Sequence, residues 1–400
     1  MRFSFPLVLS AGAWWTSDAG LKAQVAARAP VKPIKISLDL DQAPADRWKV
    51  LQGDSRFATY KQDMTNYIGT YIPKALLPLV ADIVSGLRKA FYADYAAEME
   101  GLATALGVSV GDIVIANLIY QLENIGVTCD QRNVTGPCPP KTGPGMCTGV
   151  IVNGREDRED EIWQGRNLDW NLDATLLKYV LQVDYTKANQ TLFTAVQIAG
   201  EVGILHGMRK GAFSVQLDAR DEGGSVVTNL LELIAKGAKT PTHVMRKALE
   251  TAATFDAGID ALSGTEMANP AYFIVAGAAK GEGAILSMDR KAAADTWHLY
   301  EQSAKDTKHV NPQQDWFRLQ TNYDHWTAAP SYDDRRTPGV AHVGEFCGEG
   351  VVDQACVTKV MTTWPTQNHH TDVTSIMCPR TGYFDVTVWI NGTAGESVLV

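Results

Sequence analysis

The sequence predicts an α+β layered sandwich preceded by a helical segment. Two patterns lead to this fold class: a 3.6-residue periodicity from about Pro33 to Ile125, and alternating strand-type runs around a pair of helices after residue 147. Runs of strands on both sides of a helix pair favour antiparallel sheets packed between helices. With 400 residues and 45% hydrophobic composition, the chain is long and apolar enough for a packed core.

Residues 1–20 have the composition of a secretory signal peptide. One arginine precedes an apolar stretch from Phe3 to Trp15, and small residues follow it. This stretch is too short and too interrupted to span a bilayer as a helix. No later segment has the pattern of a membrane span, so we expect a soluble protein once the leader is removed.

The segment up to about Ile125 contains two long helical patterns. Pro73 and Pro78 interrupt the first one, and "GVSVGD" within the second has the composition of a turn between two helices. Ser109 is the expected N-cap of the helix after that turn. We therefore expect a helical hairpin or a small bundle in this part of the chain.

A long loop is predicted over residues 126–146. The stretch "GVTCDQRNVTGPCPPKTGPGM" is rich in Gly, Pro, Thr and Asn and shows no periodicity. Structureless loops of this length are uncommon inside compact domains and are usually functional or cleaved.

The remaining elements follow this loop in a regular order. We predict strands over 148–154, 161–170, 178–186 and 190–200, helices over 226–237 and 241–255, strands over 271–277, 283–290, 296–302 and 316–324, a helix over 355–363, and strands over 372–379 and 382–390.

Composition excludes several function classes. The formal charge of -9 and the pI near 5.4 argue against nucleic-acid binding, which depends on clustered Lys and Arg. The net charge shrinks as pH falls toward the pI, which is compatible with an acidic compartment. The absence of a paired C-x-x-C motif argues against a structural zinc site, and we expect no cofactor and no metal.

The cysteines and sequons are compatible with an oxidising, glycosylating lumen. Of the six cysteines, Cys129 with Cys138 and Cys347 with Cys356 are the expected pairs. If Cys147 has a role of its own, the remaining odd number leaves at least one thiol free or paired outside the chain. The candidate glycosylation sites are Asn133, Asn189 and Asn391.

Cys147 stands directly behind the predicted loop, where the helical texture changes to strands. Most cysteines are buried small hydrophobes or disulfide halves, but this position also suits a processing point. If the Met146–Cys147 peptide bond is cut, Cys147 gains an α-amino group with a pKa of about 7.7 to 8 beside its own thiol. One residue then supplies both the nucleophile and its general base.

Two further motifs carry candidate partners of Cys147. "GRNLDW" places Arg166 and Asp169 at the end of a predicted strand, where the alternative interpretation is a surface salt bridge. Asn322 follows the strand "WFRLQ" and could donate its amide to a developing oxyanion, the alternative being an Asn in a turn.

Together these residues resemble a known family. The motifs "CTGVIV", "GRNLDW", "GILHGMRKGAFSVQLDAR", "PAYFIVAG", "GEGAILSMDR" and "TNYDHWTAAPSYDDRRTP" occur in the order found in acid ceramidases and N-acylethanolamine acid amidases. These are N-terminal nucleophile cysteine hydrolases related to the choloylglycine (bile-salt) hydrolases. The resemblance implies a four-layer αββα N-terminal nucleophile hydrolase sandwich, formed after a precursor cleaves itself before Cys147.

The resemblance also implies an organisation and an activity. A helical α-subunit over 21–146 and a catalytic β-subunit over 147–400 would stay together and hydrolyse the amide bond of N-acyl lipids, ceramide or N-acylethanolamines, to free fatty acid and amine. It further implies passage through the secretory pathway to a lysosome-like acidic compartment or the extracellular space. "YIPKALLPLVADIV" suits transient contact with a membrane surface, or simply a helix core.

Residue by residue, the resemblance implies the following roles. Cys147 is the nucleophile with its α-amine as base, Arg166 and Asp169 hold the amine and thiol, and Asn322 is the oxyanion donor. Arg335, the first arginine of "DDRR", matches a further family arginine near the site.

The chain departs from the family pattern at Ala219, where relatives usually have Glu. Asp218 is adjacent, but neighbouring strand residues face opposite sides, so it is not expected to replace the missing carboxylate. The loop 126–146 is longer than expected and could cover the site before cleavage. No cysteine precedes Cys129, so a bridge between subunits from near the N-terminus is not expected.

Three alternatives remain at this stage. A metal enzyme could use His369 and His370, although adjacent strand residues face opposite ways and "PTQNHHTD" has loop composition. The missing carboxylate at Ala219 favours an inactive binding protein with the same fold. The third alternative is a hydrolase of bile-salt or penicillin-type amides, against which the long helical segment before Cys147 argues.

Overall fold

The computed structural model describes most of the chain. The described residues are 19–69, 85–86, 91–123, 146–154, 161–170, 172, 174–220, 232, 237–303, 305, 310–331, 333–348 and 351–391.

Several predictions fall wholly or largely outside these residues. They are the leader over 1–20, the apolar stretch of residues 71–84, the loop over 126–146 apart from Met146, the pair Cys129 and Cys138, the glycosylation candidate Asn133, and most of the helix over 226–237.

The strands form two sheets. The six-stranded sheet has the order β1-β14-β13-β4-β3-β12, and the eight-stranded sheet has the order β11-β10-β9-β8-β7-β6-β5-β2. All strand pairs described are antiparallel except β2 with β5. The strands are β1 Arg28–Val31, β2 Ile34–Asp39, β3 Met146–Asn153, β4 Ile162–Asp169, β5 Val180–Lys187, β6 Gln190–Ile198, β7 His206–Arg209, β8 Phe213–Ala219, β9 Ala271–Gly277, β10 Gly283–Met288, β11 Ala293–His298, β12 Phe317–Gln320, β13 Val373–Cys378 and β14 Tyr383–Asn391.

The helices lie on the outer faces of the sheets and in the N-terminal segment. The α-helices are α1 Ala19–Ala26, α2 Tyr60–Ile68, α3 Ala93–Leu106, α4 Val110–Glu123, α5 Ala174–Leu177, α6 Pro241–Thr251, α7 Phe255–Ser263, α8 Arg336–Cys347 and α9 Gln354–Met361, with 3₁₀ helices at Pro44–Leu51 and Ser55–Phe57.

The layers follow the order helix, sheet, sheet, helix. Helices α6 and α7 pack on strands β6 to β9 of the eight-stranded sheet, α8 and α9 pack on the six-stranded sheet, and β3 and β4 contact β8 and β9 between the sheets. The predicted four-layer αββα sandwich is confirmed.

Side-chain alternation along β3 contributes to two separate hydrophobic cores among the described residues. On β3, Val150 and Val152 pack with Val357 and Met361 under helix α9. Ile151 faces the other way and joins a core between the two sheets with residues such as Ile274. Because successive strand residues face opposite sides, β3 has to be apolar on both faces, and its burial is continuous.

The N-terminal segment differs from the prediction of a mainly helical region. Its strands β1 and β2 join different sheets: β1 pairs with β14, and β2 pairs in parallel with β5. The alternation of Ile34, Ile36 and Leu38 was a period-two signal within a region interpreted as helical. The segment is therefore part of both sheets.

The predicted turn at "GVSVGD" is confirmed. Gly107 ends helix α3 with a left-handed φ of 67°. Ser109 Oγ accepts a hydrogen bond from the Asp112 N–H at 3.1 Å, and the Asp112 carboxylate accepts one from the Ser109 N–H at 2.9 Å. This reciprocal pair is a capping box, and it starts helix α4.

Helix α3 and the part of α4 as far as Leu118 are separated by a 115° bend. Taken together, these two helices have the length and apolar composition of a broken membrane span. Within the described residues, no single helix is both long and apolar enough to cross a bilayer.

Three of the helices described after residue 147 were not predicted: the four-residue α5, and helices α7 and α8. The predicted helix over 241–255 ends at Thr251, and a second one, α7, begins after Thr254, whose side chain caps it. Helix α8 contains Pro338 and Gly339, residues that weaken helical patterns. Proline is tolerated here because it lies in the first turn.

The predicted disulfide between Cys347 and Cys356 is confirmed, and it joins the end of α8 to the first turn of α9. Cys378 is buried and free. The candidate glycosylation site Asn189 lies exposed at the tip of the β5–β6 hairpin with a φ of 60°, and Asn391 is the exposed last residue of β14. Glycosylation at these positions stays a prediction.

Candidate active site

Cys147 occupies the second position of β3, which lies between β4 and the edge strand β12 in the six-stranded sheet. Its side chain is fully buried and is not part of a disulfide. Its N–H donates to Asn322 Oδ1 at 2.8 Å, and its carbonyl oxygen accepts from Arg335 Nη1 at 2.7 Å. Because β3 begins one residue before Cys147, the Met146–Cys147 peptide lies inside the strand, with Met146 opposite Asp169.

Arg166 brings a buried cation to the Cys147 thiol. It lies on β4 opposite Gly149 and points between the two sheets, where its Nη2 is 3.7 Å from Cys147 Sγ. Its Nη1 donates to the Leu217 carbonyl oxygen at 2.5 Å. The interpretation of Arg166 and Asp169 as a surface salt bridge is wrong, because both are fully buried and the ion pairs of Arg166 and Asp169 involve other residues.

Gly149 explains how the sheets can approach each other beside this guanidinium. A Cβ atom at Gly149 would lie 2.1 Å from Gln216 Nε2 of the eight-stranded sheet. The glycine two residues after Cys147 therefore leaves space for a polar layer between the sheets.

Asp218 faces the site, contrary to our expectation. Asp218 and Ala219 do point to opposite faces of β8, as neighbouring strand residues must. Asp218, however, is on the face that meets the six-stranded sheet. Its Oδ1 is 3.6 Å from Arg166 Nη1 and accepts a hydrogen bond from Gln216 Nε2 at 3.2 Å. Its Oδ2 is buried without a hydrogen-bond partner. The prediction for Asp218 was wrong because Ala219, and not Asp218, lies on the face of β8 that points away from Arg166.

Asp169 is the last residue of β4 and lies on the face opposite Arg166. Its Oδ1 accepts from Thr371 Oγ1 at 2.6 Å, and its Oδ2 accepts from Asn368 Nδ2 at 3.0 Å and from Arg335 Nη1 at 3.0 Å. Three donors fix the direction of this carboxylate beside the Cys147 backbone.

Asn322 and Arg335 complete the hydrogen bonding around Cys147. Asn322 Oδ1 accepts from Arg335 Nη2 at 2.8 Å as well as from the Cys147 N–H. Its Nδ2 donates to the Ala219 carbonyl oxygen at 2.8 Å, so in the uncleaved chain the amide N–H expected to meet an oxyanion has a protein acceptor. Asp333 holds Arg335 through two hydrogen bonds, at 2.7 and 3.0 Å.

The buried charges shift the protonation of the site. Burial raises the pKa of the Cys147 thiol to about 12. The charge of Arg166 lowers this pKa, whereas the charges of Asp218 and Asp169 raise it. Burial also raises the pKa of Asp218 to about 7, against the effect of Arg166. In the uncleaved chain the thiol is therefore protonated at neutral pH.

The five residues proposed from the sequence converge, although Arg335 is 188 residues from Cys147 in the chain. Sequence reasoning missed Asp218, Asp333, Asn368 and Thr371. Asn368 and Thr371 lie in the polar run "TQNHHTD" before β13, and that run is the sequence signal that could have identified them.

His369 and His370 lie in a turn, as expected, with their ring centroids 3.8 Å apart. In the described part of the chain, no three His, Cys, Asp or Glu side chains are grouped so that they could hold a metal ion.

A small apolar cavity of about 20 Å³ lies close to this site. Trp170, which follows Asp169 directly, lines it together with Leu172, and helices of the N-terminal segment contribute Met64, Tyr67 and Ala116. The cavity therefore lies where the N-terminal segment meets the strand that carries Arg166 and Asp169.

Comparison with known proteins gives relatives along most of the chain, although no family model matches. The N-acylethanolamine-hydrolyzing acid amidase of Caenorhabditis elegans is 29% identical over 363 residues, covering 90% of this chain and 94% of the relative. Acid ceramidase of Bos taurus is 29% identical over 376 residues, covering 90% and 86%. A solved structure of a Caenorhabditis elegans N-acylethanolamine-hydrolyzing acid amidase ortholog, 29% identical, aligns with a TM-score of 0.49 over 58% of this chain and 93% of that chain. Along about 90% of its length, the chain is therefore similar to acid ceramidases and to N-acylethanolamine-hydrolyzing acid amidases.

Proposed function

We propose that this chain is a self-cleaving cysteine amidase that hydrolyses the amide bond of N-acyl lipids to a fatty acid and an amine. The observation that carries the proposal is the environment of Cys147: a buried thiol against Arg166, with the residue's own N–H and carbonyl held by Asn322 and Arg335. The names of the relatives support it, because they describe hydrolases of N-acyl amides.

Self-cleavage would begin at the Met146–Cys147 peptide. Cys147 Sγ bonds to the Met146 carbonyl carbon, the bond from that carbon to the Cys147 nitrogen breaks, and the thiol proton moves to the departing nitrogen. Water then hydrolyses the thioester, which leaves a carboxylate on Met146 and a free α-amine on Cys147. We place the subunits at 21–146 and 147–400, after removal of a leader over 1–20.

Substrate turnover would use the new α-amine as general base. With an ordinary pKa of about 7.7 to 8, it takes the thiol proton as Sγ attacks the acyl carbon of the lipid. The carbon–nitrogen bond of the substrate breaks, and the ammonium returns its proton to the leaving amine. Water, deprotonated by the same α-amine, then hydrolyses the acyl thioester to release the fatty acid and the thiol.

The surrounding residues have distinct roles in this proposal. Arg166 favours the thiolate, because a cation lowers the free energy of a nearby anion. Asp169, oriented by Arg335, attracts the ammonium form of the α-amine. Asn322 accepts a hydrogen bond from the nitrogen of Cys147 and would stabilise the oxyanion once its Nδ2 leaves the Ala219 carbonyl.

The substrate class follows from the chemistry next to the site. The apolar cavity beside Trp170 suits part of an acyl chain, and it would have to widen because it is small. Ceramide and N-acylethanolamines share this acyl amide and differ only in the leaving amine. We further propose a secretory route to a lysosome-like acidic compartment or the extracellular space, with transient contact with a lipid surface.

The first test is the intact mass of the secreted protein after incubation at about pH 4.5, where an acidic compartment would lie. We expect two fragments, the second of which begins at Cys147, and a single chain for Cys147→Ala. An uncleaved wild-type chain would contradict self-cleavage and favour an inactive binding protein.

A second measurement separates the amidases. Release of a fluorophore from N-acyl aminocoumarins of increasing chain length should rise for long acyl chains, and ceramide should then be compared with N-acylethanolamines. A preference for bile-salt or penicillin-type amides would contradict the lipid proposal, and maximal activity above about pH 8 would contradict the acidic compartment.

A further inference from the structure

The first strand of the chain carries an arginine that points into the sheet carrying Cys147. Strand β1 lies at the edge of the six-stranded sheet and pairs with β14, with Arg28 opposite Asn391. The Arg28 side chain is only 6% exposed, and that of its ion-pair partner Asp372 is 3% exposed. An arginine on a sheet edge usually extends into water, so this burial calls for a partner inside the molecule.

Three of the four residues that Arg28 contacts lie in one segment, residues 368–372. Its Nη1 donates to the Thr371 carbonyl oxygen and, at 3.4 Å, to that of His369. Its Nη2 donates to the Trp389 carbonyl oxygen on β14 and lies 3.7 Å from Asp372 Oδ1.

The same segment orients Asp169. Thr371 Oγ1 and Asn368 Nδ2 are two of the three donors to the Asp169 carboxylate. Within the segment, Asn368 N–H donates to Thr371 Oγ1 at 2.9 Å, which couples the positions of the two donors. Asp372 fixes the end of the segment by accepting from the Leu172 N–H at 2.9 Å.

We propose that Arg28 is a positioning residue for the reaction: it fixes the segment 368–372 and thereby holds Asp169 in the direction that the ammonium of Cys147 requires. The Arg28 guanidinium is also attracted by the charge of Asp169 itself. This inference rests on the proposed function, and it makes the N-terminal segment a contributor to the catalytic site.

A structural role for Arg28 would be limited to fastening β1 to β14, and Lys32 offers a matched control for that role. Lys32 Nζ forms an ion pair with Asp385 Oδ1 at 2.6 Å and donates to the Val386 carbonyl oxygen at 3.1 Å, both on β14. These bonds join the N-terminal segment to the same strand, and neither involves the segment 368–372.

The experiment compares Arg28→Ala, Arg28→Lys and Lys32→Ala in the full chain after processing. Turnover of an N-acyl aminocoumarin is measured as kcat and KM, and the presence of both fragments is checked by native mass spectrometry. We expect Arg28→Ala to lower kcat by about 10- to 100-fold, since misplacement of a site residue has effects of this size, with KM within about twofold. Arg28→Lys should recover part of the loss, and Lys32→Ala should leave kcat unchanged.

Equal kcat values for Arg28→Ala and Lys32→Ala would overturn the inference, as would a loss that appears only in KM or only together with loss of the N-terminal fragment. If Arg28→Ala does not fold, Arg28→Gln keeps a polar side chain but removes the guanidinium, and an unchanged kcat in that variant would also overturn the inference. A wild-type chain without cleavage and turnover would instead refute the proposed function, and this inference with it.

Discussion

At the scale of single residues, one guanidinium lies between the Cys147 thiol and the Asp218 carboxyl group, two acids that compete for its charge. Arg166 presents Nη2 to the Cys147 thiol and Nη1 to the Asp218 carboxylate, at 3.7 and 3.6 Å. A negative charge on either partner is stabilised by the same cation. Asp218 therefore gives this chain a buried carboxyl group beside the proposed nucleophile, although position 219 is alanine.

Asp218 should make folding stability depend on pH. Its pKa in the folded chain is raised from 3.8 to about 7, so the folded state binds more protons than the unfolded state between these values. Asp218 should therefore increase the free energy of unfolding as pH falls from about 7 toward about 4. This contribution should disappear as pH rises again.

This prediction is tested with Asp218→Asn in a Cys147→Ala background, which lacks the thiol proposed to cleave the chain. The increase in melting temperature between about pH 8 and pH 5 should be smaller in the double variant than in Cys147→Ala alone. Asp184→Asn, on β5 and bonded to Thr194, is the matched control and should keep the full increase. Identical pH profiles with and without Asp218 would contradict the raised pKa.

Arg335 provides a second prediction at this scale. Its guanidinium simultaneously reaches the Cys147 carbonyl oxygen, Asn322, Asp169 and Asp333. A lysine keeps the charge but lacks the planar fork that these acceptors require. Arg335→Lys should therefore slow self-cleavage by about 100-fold, followed as precursor disappearance on gels.

The adjacent residue supplies the control for Arg335. Arg336 is also buried but donates to the carbonyl oxygens of Asp324 and Thr327, outside the Cys147 network. Arg336→Lys should retain cleavage even if it lowers the melting temperature. Equal cleavage rates in the two variants would mean that Arg335 contributes only to stability.

The sequence predicted only those residues of the site that lie in recognisable motifs. Cys147, Arg166, Asp169, Asn322 and Arg335 belong to recognisable segments, and the structure brings them together. Asp218, Asn368 and Thr371 act through contacts between different strands and loops, which depend on the register and the facing of sheets. Sequence spacing does not contain that information.

At the scale of elements, a strand or helix was predicted correctly where its own residues show a clear hydrophobic pattern. Strands such as β9 were predicted with their observed bounds, because "AYFIVAG" is apolar throughout and has polar or small flanks. Helix α8 was missed because Pro338 and two glycines hide its period, and a Cβ at Gly339 would lie 2.8 Å from Leu319 Cδ1. Close packing on β12 thus explains a residue that weakens the helical signal.

Strand β1 was missed for a different reason. It is short, and its partner lies at the far end of the chain, where Arg28 pairs with Asn391. A strand of four residues gains its hydrogen bonds only from such a partner, so its local sequence carries a weak signal.

At the scale of the whole molecule, the N-terminal segment is built into the sandwich. It adds an edge strand to each sheet, and its helix α3 inserts a carboxylate against helix α6. Glu98 is fully buried and accepts from Arg246 at 2.6 and 2.8 Å, from Arg47 at 2.6 Å and from Trp48 at 2.9 Å. Of these donors, only Arg246 lies beyond the proposed cleavage point.

This arrangement predicts that Glu98 holds the two fragments together after cleavage. In Glu98→Gln, the Arg246 and Arg47 cations lose the carboxylate between them, and removal of one partner from a buried ion pair costs about 3–5 kcal/mol. The fragments should then separate at a lower urea concentration than in the wild-type protein, as measured by size-exclusion chromatography of the processed chain.

Glu250→Gln is the matched control, because Glu250 also binds Arg246, at 3.0 Å, but lies one turn away on the same helix. Its loss removes an ion pair within one fragment and leaves the link between fragments intact, so dissociation should occur close to the wild-type urea concentration. If Glu98→Gln and Glu250→Gln shift dissociation equally, the fragments are held by the sheet pairing of β1 and β2 and by apolar packing, with no particular contribution from the buried carboxylate.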